Sequence, residues 1–161
     1  MGQNTAAGPL FDEAYGCAQR VGHTRGIAVS LANLAWIAHY QGDTRQTAGL
    51  AQQSLRLCCQ LGESELEAEC LELLAIAAVA KGQARRAAQL SGAAEHLRAS
   101  LHIVRPPTHH AAVAHAAAVA DMRAQLDATE LVAAWRRGSS LRAEARLIFA
   151  LGCGRPASDK I

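Results

Sequence analysis

Seven histidines, five cysteines and fourteen acidic residues are the groups with which this chain of 161 residues could do chemistry. His109, His110 and His115 share one predicted helix. Zinc needs ligands three or four apart on a helical face, or ligands gathered by folding. Spacings of one, five and six offer neither. These histidines are expected at the surface or in packing, with no metal. His102 and the His109–His110 pair flank Pro106–Pro107, where a pH-sensitive contact could form.

Cys17, Cys58, Cys59, Cys70 and Cys153 are odd in number and form no C-x-x-C pair. They read as small buried thiols in a reducing cytoplasm. Glu63, Glu65, Glu67, Glu69 and Glu72 crowd the start of one predicted helix, where they suit its positive end, and they read as a solvated face. Arg85, Arg86, Arg136 and Arg137 sit near turns and read as solvated too. No spacing brings together a nucleophile, a base and an orienting group. No G-x-x-x-x-G-K-[ST] loop occurs, so neither ATP nor any other cofactor is expected. The chain is read as non-enzymatic.

One stripe carries a binding reading. Val29, Asn33, Trp36 and Tyr40 recur at helical spacing, opposite Leu31, Leu34, Ala35 and Ala38. Asn33 could hydrogen-bond a peptide backbone, while Trp36 and Tyr40 supply area with polar tips. The competing reading is packing against a neighbouring helix. The equivalent positions forty residues on, Glu69, Leu73, Ile76 and Ala80, are mostly apolar and favour packing.

Half of the residues are hydrophobic but only 4% are aromatic, which favours closely packed helices over sheets. A net charge of +2, with no basic run, argues against direct nucleic-acid binding. No apolar run approaches the roughly 20 residues of a membrane span. The leading MGQNTAAGP lacks the features of a secretory signal. A cytoplasmic chain is expected.

The helices that would position these groups are punctuated by glycine. Residues 1–8 read as a disordered lead. Pro9 can open a helix that runs to Val21. The stretch from Thr24 to Gln41, which serves as the reference for the whole pattern, ends at Gly42. Helices 44–61, 64–81 and 84–101 follow, with stops at Gly62 and Gly82. Asp43–Gln46, Ser64–Glu67 and Asp127–Glu130 have the form of capping boxes. Beyond Pro106–Pro107 come an Ala-rich helix to Gln125 with Val113, Ala117 and Ala120 on one side, a short helix stopped by Gly138, and a last one capped by Ser140. These three, within 106–151, would cap the open end of the stack. The tail, 152–161, reads as loose.

The helices repeat with a period of forty. Leu10, Leu50 and Leu90 align, as do Ala14, Ser54 and Ala94, then Val21, Leu61 and Leu101. Residues 9–101 thus hold a lone second helix, 9–21, followed by two helix pairs, 24–61 and 64–101. The lone helix leaves one side uncovered, so Trp36 and Tyr40 are expected to be partly exposed, with Trp36 a candidate anchor for self-association. The pattern also suggests that Met1 is not the natural start of the architecture.

Leu31, Leu34 and Ala35, the turn at Gly42 and the small Ser54 resemble the packing positions of a tetratricopeptide repeat. The period departs from the usual one of about 34 residues. Thr44 and Ala84 replace the usual aromatic after the turn, and the late proline is missing. The resemblance implies an all-α, right-handed superhelix of antiparallel helix pairs with a C-terminal helical cap. A narrower resemblance covers residues 26–151. GIAVSLANLAWIAHYQGD, LSGAAEHLRASL, Pro106–Pro107 and ATELVAAWRRGSSL are similar, in that order, to the C-terminal segment of large bacterial regulators. Those couple an AAA-type or STAND-type ATPase and a long repeat array to a LuxR-type or winged-helix DNA-binding domain, or to a cyclase or kinase. The resemblance implies a regulatory module that binds a protein, a peptide or a small-molecule effector. The alternative is a free-standing adaptor that pairs with itself through the uncovered N-terminal side.

Overall fold

The computed structural model describes residues 3–103, 106 and 108–152. The expected loose tail lies outside them except for Gly152. The described residues are 84% helical, in eight helices and without strands. The helices are α1 Gln3–Arg20, α2 Thr24–Tyr40, α3 Thr44–Leu61, α4 Ser64–Ala80, α5 Ala84–Ser100, α6 His110–Gln125, α7 Ala128–Ser139 and α8 Ala143–Leu151. α1 begins ahead of Pro9, so the stretch expected as a disordered lead is helical from Gln3 onward.

The first four turns are copies of one another. Gly22, Gly42, Gly62 and Gly82, twenty residues apart, take φ of 66°, 79°, 71° and 70°. In each, the following amide donates to the carbonyl five residues back: His23 to Ala18, Asp43 to Ala38, Glu63 to Cys58 and Gln83 to Ala78, at 2.9–3.0 Å. This bond closes the helix end, and the left-handed residue it requires favours glycine. A fifth copy falls twenty residues further on, where Ile103 donates to Arg98 at 3.1 Å and His102 takes φ 55°. The turn therefore recurs once more where the apolar pattern ends.

Short turns make neighbouring helices pack in sequence from α1 to α5. α4, rather than α2, lies at the centre. Every residue from Glu67 to Val79 except Glu69 is buried. A helix that is apolar all round can only sit enclosed. α3 and α5 flank α4, α6 covers it on one side, and α8 reaches it through Arg146. Leu71 and Leu73 are fully buried there, each contributing about 2 kcal/mol.

At two of the three sites the N-cap bond forms: Asp43 accepts from the Gln46 amide and Asp127 from the Glu130 amide, both at 2.8 Å. At α4 the N-cap is Glu63 and makes no side-chain cap bond. Glu67 is instead drawn inward by Arg146. Ser140 closes α7 by donating to the Arg137 carbonyl and does not cap α8, whose N-cap is Arg142. Gly138 is not a stop. It lies inside α7, where α7 touches α5. α6 buries Ala111, Ala118 and Met122, so the Val113, Ala117 and Ala120 side faces outward.

Candidate functional site

The stripe on α2 is split between two environments. Its C-terminal half is closed at Trp36. Trp36 is 3% exposed, and its indole N–H donates to Glu69 Oε1 on α4 at 2.5 Å. Tyr40 stacks on it with ring centroids 6.1 Å apart. His110, at the start of α6, meets the Trp36 ring edge-on at 4.9 Å and hydrogen-bonds the Tyr40 hydroxyl through Nδ1 at 3.1 Å. Trp36 is therefore not the exposed anchor expected of it, because α4 and α6 cover it. Tyr40 remains 44% exposed. Burial pulls the His39 imidazole below its ordinary value and pushes the Tyr40 phenol above it.

The N-terminal half stays open. Val29 and Asn33 are half-buried and line a depression of about 540 Å³ between α2 and α1, with Phe11, Ala14 and Val21 opposite. The four stripe residues thus do not share one open surface. Val29 and Asn33 face α1, while Trp36 and Tyr40 face His110.

A second cluster repeats the first one's chemistry. The Trp135 indole on α7 donates to Glu95 on α5, and His115 of α6 lies beside it, ring centroids 6.2 Å apart. α6 carries one histidine to each tryptophan. His115 Nε2 also hydrogen-bonds Ser91 Oγ at 2.9 Å. Such a pair is half of a nucleophilic constellation. Here Ser91 has no exposed surface, and the bond fastens α6 to α5.

The glutamates expected on a solvated face have internal partners instead. Glu67 pairs with Arg146 at 2.6 Å, each side chain 8% exposed. Glu72 receives two hydrogen bonds from Arg98, at 2.8 and 3.1 Å. Glu63 takes Arg25 at 2.7 Å, and Glu69 takes Trp36. Only Glu65 of the five is exposed. Arg86, expected in solvent, is half-buried. It donates to the Phe149 and Ala150 carbonyls, capping α8, and lies over the Phe149 ring. Arg85 is exposed and pairs with Glu130. The signal for the glutamates was present in the sequence: the five circle α4 rather than lining one side of it, so some must point inward.

The thiols divide. Cys58 and Cys70 are buried, Cys59 is half-buried and Cys17 is exposed, while Cys153 lies outside the described residues. Ser54 ties the buried pair together. It donates to the Ala28 carbonyl at 2.8 Å and accepts from Cys70 at 3.3 Å. The interaction with the Cys70 thiol draws Cys58 down, while the same interaction, and then burial, push Cys70 up. Burial first, then the charge of Glu67, lifts Cys59 to about 11. Cys59 and Cys70, held protonated in this way, are poor nucleophiles.

Among the described residues, no group of three His, Cys, Asp or Glu is placed to hold a metal ion, and no helix is long and apolar enough to cross a membrane. No family model, curated protein or solved structure matches the chain.

Proposed function

We propose that this chain is a non-catalytic, tetratricopeptide-like repeat module that binds a protein or peptide segment, acting within a bacterial signalling or transcription regulator. The observation that carries the repeat reading is the turn that recurs every twenty residues with one hydrogen bond and one left-handed φ. The regulator context rests on the sequence resemblance alone. The binding surface in this reading is the open half of the α2 stripe. Val29 offers an apolar wall, and Asn33 can donate to and accept from an extended backbone.

Selection of displayed random peptides on the 161-residue chain tests the reading. Enriched peptides should bind roughly tenfold more weakly to Asn33→Ala, the loss of about one hydrogen bond. They should also lose affinity for Val29→Glu and keep it for Arg136→Ala, on distant α7. Absence of enrichment, or binding indifferent to both α2 variants, overturns it.

A further inference from the structure

Leu10, Ala14, Cys17 and Val21 form one straight stripe on α1, at helical spacings of four, three and four. All four are exposed, Leu10 at 67% and Val21 at 76%. The same stripe one repeat on is Leu50, Ser54, Leu57 and Leu61, and two repeats on it is Leu90, Ala94, Leu97 and Leu101. In those copies the middle is closed. Ser54 and Ala94 have no exposed surface, Leu97 is buried and Leu57 half-buried. On α3 the cover is a helix: α2, whose Ala28 carbonyl accepts from Ser54. The fold thus uses this face for helix–helix contact, and on α1 no other described helix covers it; only Arg20 of α1 itself reaches it, donating to Cys17 Sγ at 2.8 Å.

The order of residues indicates what does. The stripe reads large, small, small, large. Leu10 and Val21 are equidistant from its midpoint, and so are Ala14 and Cys17. A helix with this pattern is complementary to itself when two copies run antiparallel about a two-fold axis. Leu10 then meets Val21 of the second copy at each end, and Ala14 meets Cys17 of the second copy where the backbones approach most closely. Charge agrees with this register. Glu13 and Arg20 lie along one edge of the stripe, both exposed. In antiparallel pairing that edge meets itself, bringing Glu13 to Arg20 of the second copy twice over as Arg20 exchanges its bond to the Cys17 thiol for a carboxylate. A parallel arrangement would not bring the large ends onto the same partners, nor join that edge to itself.

We infer that α1 is a self-association surface, and that a second copy of this chain packs on it antiparallel, centred between Tyr15 and Gly16. This narrows the macromolecular partner proposed above to a second copy at the α1–α2 end. Peptides that bind through Val29 and Asn33 to a chain that stays monomeric would overturn the dimer and leave the binding module standing.

Light scattering over a concentration series, on the full chain and three variants, decides it. The mass should rise with concentration and level off at twice that of the monomer. L10E and V21K, each at a solvent-facing position, should keep native helicity by circular dichroism. Each should raise the dissociation constant by about 30-fold, because in a two-fold dimer one substitution disrupts both ends of the interface. The L10E/V21K double variant sets opposite charges against one another at both ends and should recover most of that loss. A chain that stays monomeric, a mass that climbs past two copies, single variants that associate like the parent, or a double variant no better than the singles would each overturn the inference.

Discussion

Gly92 on α5 and Gly138 on α7 mark a crossing where two helix backbones touch. A Cβ on Gly92 would lie 2.1 Å from the Trp135 carbonyl oxygen, and one on Gly138 would lie 1.8 Å from the Gln89 carbonyl oxygen. Ser139 seals the crossing by donating to the Gly92 carbonyl at 3.0 Å. The obstacle is backbone in both cases, so no rotamer change relieves it. The crossing also joins two stretches that the sequence sets apart, LSGAAEHLRASL and ATELVAAWRRGSSL.

Gly92→Ala and Gly138→Ala should therefore each destabilise the fold by about 3 kcal/mol, at the high end of overpacking costs. Gly49→Ala is the control. Gly49 lies inside α3 with open space where its Cβ would go. There the gain in helix preference should stabilise by about 0.5–1 kcal/mol. Urea unfolding of the three variants checks the contrast. Equal small effects at all three sites would mean that α5 and α7 do not touch.

His102 occupies the fifth turn without the residue the other four use. A left-handed conformation costs a non-glycine residue about 1–2 kcal/mol. His102→Gly should then raise stability by about 1 kcal/mol, and Gly82→Ala should lower it by a similar amount. Thermal midpoints of both variants test this. A destabilised His102→Gly would show that the imidazole makes a contact worth more than the backbone strain.

The parts of the fold that were legible in the sequence are local ones. Gly42 and Gly82 could be read as turns because left-handed backbone singles out glycine. Asp43 and Asp127 could be read as caps because their partners lie three residues away. The fifth turn was hidden because His102 carries no such mark. Gly138 was misplaced because a glycine that ends a helix and one that lets helices touch look alike until the second helix is known. Glu67 illustrates the wider limit. Its partner, Arg146, is 79 residues distant, and no spacing rule links them. The covering of Trp36 was hidden for a similar reason, since His110 arrives over it from beyond a break that periodicity cannot cross.

The Glu67–Arg146 pair gives a test of that long-range contact. Both side chains are almost fully enclosed, so removing one leaves the other charge without compensation. Arg146→Met should cost about 3–5 kcal/mol, while the E67M/R146M double variant should return close to the parent. Unfolding in urea measures both. If the double variant were as unstable as the single, the loss would lie in the packing of α8 and not in the unpaired charge.

The last prediction concerns pH. Burial among Trp36 and Tyr40, ring centroids 5.8 and 5.2 Å away, holds the native His39 imidazole neutral below its ordinary titration range. In the unfolded chain it titrates near 6.5. As pH falls through that value the unfolded chain takes up the proton first, so the unfolded state binds more protons and stability drops. The loss stops growing once pH passes below the native value, where both states are protonated. His39→Gln removes this contribution and leaves those of the other histidines in place. The thermal midpoint of the parent should therefore fall more steeply than that of His39→Gln between pH 7.5 and about pH 5. Parallel curves for the two proteins would place His39 in solvent, and with it the closed half of the α2 stripe.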